Sequence, residues 1–135
     1  RAKMEFYKSL SAASGLDEFR EIREALVDRY GPPPETVELM LLMEEIRQLA
    51  NTLRLERIAI SPKSDGDKTP SEMPYFVVAP DHKLDMAKVS TLLTRDKRVK
   101  LDATDAKRIN LDIPQEPQLA FFRELAAVLK YLGNS

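Results

Sequence analysis

Apolar residues recur at three- and four-residue intervals through the first part of the chain and alternate with polar ones further on. Met4, Tyr7 and Leu10 share one helical face, which predicts a first helix over about residues 2–13. Ser14, with Asp17 three residues later, reads as an N-cap with an acidic partner in the first turn. The helix it opens runs to about Tyr30, with Leu16, Phe19, Ile22, Leu26, Val27 and Tyr30 on its apolar face. Gly31 suits the left-handed position that ends a helix, and Pro32 cannot extend one.

Pro34 fits the first position of a third helix that reaches about Leu53. Its core face carries Leu39, Leu42, Met43, Ile46, Leu49, Ala50 and Leu53. Val37, Met40 and Leu41 add apolar groups on the other side of its first turns. A helix apolar on both sides is buried on both, so this one is expected to be central.

Beyond Leu53 the period shortens. Ile58 and Ile60 alternate with Arg57, Ala59 and Ser61, which predicts a short strand. Residues 62–74 read as a polar loop containing Ser64-Asp65-Gly66-Asp67. Tyr75-Phe76-Val77-Val78 follows as the hairpin partner of the first strand. Asp85 caps a short helix bearing Met86, Val89, Leu92 and Leu93. Val99 and Leu101, a turn at Thr104-Asp105-Ala106, and Ile109, Leu111 and Ile113 form the clearest hairpin signal. Between Pro114 and Pro117 lies a linker. A closing helix over about Gln118–Leu132 buries Phe121, Phe122, Leu125, Val128, Leu129 and Leu132, with Gly133 as its stop. Hairpins outnumber strand–helix–strand units. The expected class is α+β: N-terminal helices, a long central helix on a small, mainly antiparallel sheet, and a closing C-terminal helix, in one domain over 1–135.

The 135 residues include 21 Lys plus Arg against 22 Asp plus Glu, so no overall charge draws the chain to nucleic acid or anionic membrane. Cysteine is absent, which removes disulfides and thiolate chemistry and agrees with a cytoplasmic protein. No apolar run is long enough to span a bilayer. The chain starts at Arg1 already in helical pattern, so a fragment from the C-terminal end of a longer protein is expected.

Catalytic constellations are lacking. The four glycines form no phosphate loop and no nucleophile elbow, and His82 is the single histidine, in a predicted loop. Asp65-Gly66-Asp67 lacks the further ligands and distal Glu of a calcium loop. The expectation is no catalytic, cofactor-binding or metal-binding site. A basic group (Arg95, Lys97, Arg98, Lys100, Lys107 and Arg108) surrounds the second hairpin and could touch phosphates. Asp96, Asp102 and Asp105 interrupt it and no aromatic is interleaved, which favours a solvated face.

The second helix carries the stronger signal. Asp17, Glu21, Glu24 and Asp28 fall within roughly 60° of one another at about 100° per residue. Arg20 offsets Glu24 in part through its i,i+4 spacing. Such a stripe is either a solvated face or a docking surface for a basic partner.

Phe6-Tyr7-Lys8, Leu26-Val27-Asp28-Arg29-Tyr30-Gly31, Pro34-Glu35, Leu41, Arg47-Gln48-Leu49-Ala50 and Leu53-x-Leu55-x-x-Ile58 resemble the C-terminal domain of bacterial transcription-repair coupling factors. Val99 to Asp102 and Ile109 to Leu111 also have counterparts there. The resemblance implies a regulatory, non-catalytic piece of an ATP-dependent, superfamily 2 DNA translocase acting in nucleotide-excision repair. It implies a partner too: the UvrB-like N-terminal module of the same polypeptide, whose UvrA-binding surface this domain covers. Asp28 matches one acidic contact position of the family. The other, usually Glu three residues earlier, is Ala25 here, with Glu24 and Glu21 close by. The docking set is therefore Glu21, Glu24 and Asp28. Arg54 stands where the family often has Gly.

Overall fold

A computed structural model describes residues 2–60 and 73–133. Its elements are α1 (Ala2–Ser11), α2 (Leu16–Tyr30), α3 (Glu35–Leu53), β1 (Leu55–Ala59), β2 (Tyr75–Val78), α4 (Met86–Arg95), β3 (Val99–Leu101), β4 (Arg108–Leu111) and α5 (Gln118–Gly133). The strands form one antiparallel sheet in the order β1-β2-β4-β3. The expected α+β class is borne out.

Both hairpins pair as expected, and β2–β4 pairing joins them. In register, Ile58 faces Phe76, Phe76 faces Ile109, and Ile109 faces Leu101; Val99 faces Leu111. Side chains alternate across a strand, so this row lies on the face turned to α3 and α5, where all but the exposed Leu101 join the core. The opposite face carries Arg57, Tyr75, Lys100, Arg108 and Asn110.

Two buried clusters make up the core among the described residues. The larger joins Leu42, Ile46, Leu49 and Leu53 of α3 to the inner sheet face and to Phe121, Phe122, Leu125, Leu129 and Leu132 of α5. The smaller consists of Leu10, Ala13, Phe19, Leu26 and Leu41. Each fully buried large apolar side chain contributes about 1.5–3 kcal/mol, so the larger cluster dominates stability. Only α3 supplies buried residues to both, through Leu42 and Leu41 on opposite sides, which makes it the central helix.

Several boundaries shift. α1 ends at Ser11. Gly15, not Ser14, occupies the N-cap of α2 without a side-chain bond, and Glu18 instead reaches back to accept from the Ser14 N–H at 3.0 Å. Pro34 is the N-cap of α3 rather than its first residue, because its ψ of 161° is extended. β1 begins at Leu55 and stops at Ala59, which leaves Ile60 exposed. Met40 and Met43 are 43% and 52% exposed, contrary to the apolar pattern. Their places in the interior are taken by Glu45 and Gln48, whose polar ends find partners. Of the predicted loop, 62–72 lies outside the described residues, as does Ser61 before it. Pro74 is buried and its carbonyl accepts from the Leu111 N–H at 2.8 Å.

Candidate partner-docking surface

α2 is positioned by its two ends. At the C-terminal end Gly31 has φ 79° and donates its N–H to the Val27 carbonyl at 2.7 Å. Its ψ of −175° puts it in a region that only glycine adopts without strain. Tyr30 packs edge-on against Phe6 of α1, with ring centroids 6.0 Å apart. At the N-terminal end the buried Gln48 amide of α3 donates to the Ala13 carbonyl at 3.2 Å. Arg23, midway, donates to Glu38 of α3 at 3.3 Å, and Arg123 of α5 approaches the same carboxylate at 3.9 Å.

This seating turns Glu21, Glu24 and Asp28 into one wall of an open groove. Arg20, Arg23, Ala25 and Val27 complete the wall, and Glu45 of α3 with Lys130 of α5 forms the floor. A second depression continues from it past Arg20, Glu21 and Lys130 to Asp17, Glu18 and Gly15. Glu21, Glu24 and Asp28 are all exposed, and none makes a hydrogen bond or ion pair with a described residue. Arg20 does not pair with Glu24. Below them Glu45 is 3% exposed, with Lys130 Nζ 3.1 Å from its Oε2. The wall is thus a row of uncompensated carboxylates above a compensated one.

The basic residues of the second hairpin are arranged differently. Arg98 donates to Asp96 and to both oxygens of Glu124 at 2.9 and 3.0 Å, which raises its pKa and lowers that of Asp96. Lys100 lies 3.6 Å from Asp112. Arg108 donates to Asn110 at 2.8 Å and lies 3.7 Å from Asp102. Asp102 accepts from the Thr104 hydroxyl, the Asn110 amide and the Thr104 N–H, which hold its carboxyl at about 2. Half of the basic group is thereby neutralised within the domain, while the exposed side chains of Arg95, Lys97 and Lys107 make no hydrogen bond or ion pair with a described residue. An aromatic does join them: β2–β4 pairing stacks Arg108 on Tyr75, with the guanidinium carbon 3.6 Å from the ring centroid. Nothing local in sequence announces that contact, since 33 positions separate the two residues.

His82 is half-buried, and its Nδ1 accepts from the Leu84 N–H at 3.2 Å within a local turn. Asp65, Gly66 and Asp67 lie outside the described residues. No group of three or more metal-ligating side chains occurs among the described residues. None of the described helices is long and apolar enough to cross a membrane.

With this geometry in view, comparison with known families is informative. Residues 1–66 match the TRCF domain. The match covers α1, α2, the Gly31–Pro34 corner, α3 and β1, so it includes the acidic wall. The TRCF resemblance expected from the motifs is borne out over that stretch, and it points to a role in transcription-repair coupling and DNA repair. No curated protein matches the chain. Sequence reasoning singled out the carboxylates of the wall but missed Glu45, Lys130, Glu38 and Gln48. A buried Glu has no signature at short range, because its compensating Lys130 comes from α5, 85 positions away.

Proposed function

We propose that this chain is a non-catalytic regulatory domain at the C-terminal end of a transcription-repair coupling factor. It docks through Glu21, Glu24 and Asp28 on a basic surface of the UvrB-like module of the same polypeptide and masks the surface that UvrA binds. The observation that carries this reading is the contrast within α2. Arg23 is paired with Glu38 through its terminal nitrogen, whereas the three carboxylates of the wall have no partner among the described residues. Exposed charges of one sign repel along a helix face, and an arginine-bearing partner relieves that repulsion while fixing register. The parent protein is, on this reading, an ATP-dependent DNA translocase of the bacterial cytoplasm, and the domain's contribution is to repress it. A contact that must release is worth about 1–3 kcal/mol, and the covalent tether raises its effective concentration.

The test is binding of this chain to the isolated UvrB-like module at two salt concentrations, followed by UvrA competition. Binding at low salt that weakens as salt rises is expected, with loss on combining Glu24→Lys and Asp28→Lys. Equal binding by the double variant overturns the electrostatic contact.

A further inference from the structure

We propose that α1 and α2 open from the rest of the domain as one cooperative unit, pivoting at Gly31, with Glu38 as the latch that closes it. The inference concerns the isolated chain and holds whether or not a partner docks.

Burial is the first argument. Only Phe19 and Leu26 are buried along the 15 residues of α2, against seven buried residues along the 16 of α5. The buried residues of their cluster are distinct from those of the main one, with the partly buried Leu16 of α2 touching both, and its single fully buried contribution from outside α1, α2 and their connecting turn is Leu41. Segments with few buried apolar contacts open at lower free energy than the core, and contiguous ones open together.

The connection is the second. Residues 31–34 read Gly-Pro-Pro-Pro, so three of the four have no N–H to donate. The Gly31 N–H bonds back into α2 and travels with it. Pivoting at this point breaks no backbone hydrogen bond of the linker itself.

The latch is the third. Glu38, in the first turn of α3, meets Arg23 of α2 on one side and Arg123 of α5 on the other. It is the carboxylate shared by the small cluster's helix and the large cluster's helix. Closure leaves the Arg23 Nε buried without a partner, a cost that hydration removes on opening. The groove lined by Glu45 and Lys130 lies between the middle of α2 and α5.

Native-state hydrogen exchange of the chain in low, stepped denaturant tests this. Amides of α1 and α2 are expected to share one subglobal opening, with protection at least about tenfold below that of α5 and β4. Glu38→Gln is expected to raise exchange in α1 and α2 about three- to tenfold and leave α5 and β4 unchanged. Exchange of α2 only through global unfolding, or a gradient fading inward from the N-terminus, overturns the proposal. So does a Glu38→Gln effect spread equally over both clusters. The unmodified chain decides the matter if the variant does not fold.

Discussion

Lys130 of α5 holds its ammonium 3.1 Å from Oε2 of Glu45, a carboxylate on α3 whose side chain is 4% exposed. The pair is asymmetric, since the lysine reaches solvent and the glutamate does not. Lys130→Met keeps the aliphatic stem and leaves Glu45 buried without its cation, so a loss of about 1–3 kcal/mol is expected in urea unfolding. Adding Glu45→Met should recover most of it, because replacing both members of a buried pair by apolar groups is close to neutral. No recovery would mean that Glu45 serves something other than Lys130.

Acid should act on the β3–β4 hairpin. The Thr104 hydroxyl, the Asn110 amide and the Thr104 N–H depress the Asp102 carboxyl to about 2, against an ordinary value near 3.9. A group depressed in the folded state stabilises fully above its unfolded pKa, and that contribution is lost as pH falls through the folded value. Asp96, lowered chiefly by the Arg98 side chain, acts with the same sign. We expect stability to decline from about pH 4 to about pH 2, and Asp102→Asn to flatten that slope. Carboxyl chemical shifts followed through the titration check the assignment.

Two backbone positions should respond in opposite directions. Gly31→Ala forces a side chain into a conformation reserved for glycine, with open space around the new Cβ. Only backbone strain is paid, about 1–3 kcal/mol. Arg54 ends α3 in the left-handed region at φ 60° and ψ 51°, so Arg54→Gly should stabilise by up to about 1 kcal/mol despite loss of the exposed contact to Asp81. Thermal unfolding of both variants beside the parent chain resolves the two signs.

The free basic residues are open to a direct measurement. Arg95, Lys97 and Lys107 are the part of the hairpin group that carboxylates leave unengaged. Three exposed charges on a near-neutral domain predict no DNA retention at about 0.15 M salt. A gel-shift titration showing retention, lost when these three become alanine, would instead make the hairpin a nucleic-acid contact.

Elements whose cause is local were legible in the sequence. The period of Phe121 to Leu132 marks α5, and all six residues expected to be buried there are buried. The alternation at Val99–Leu101 and Ile109–Leu111 marks β3 and β4. What escaped depends on partners far along the chain. Met43 looks like a core residue and Glu45 a surface one until α5 brings Lys130 over the latter. The basic group looks uniform until Glu124, Asp112 and Asp102 neutralise part of it. The acidic wall was legible because helical geometry alone aligns its members; the groove it borders was not, because α3 and α5 supply the floor.

The strand order carries a consequence for where this domain can be cut. Within residues 1–66, the span of the TRCF match, the described residues hold a single strand of the sheet, and it lies at one of the two edges. Its hydrogen-bonding neighbour, β2, and the helix that covers Leu42, Ile46, Leu49 and Leu53 both come later in the chain. A piece ending at residue 66 would present a bare strand edge beside an uncovered apolar helix face, a combination that self-associates. The border visible between sequences thus falls between two paired strands of one sheet. The later residues, outside that match, cover the strand edge and the apolar helix face of the matched ones.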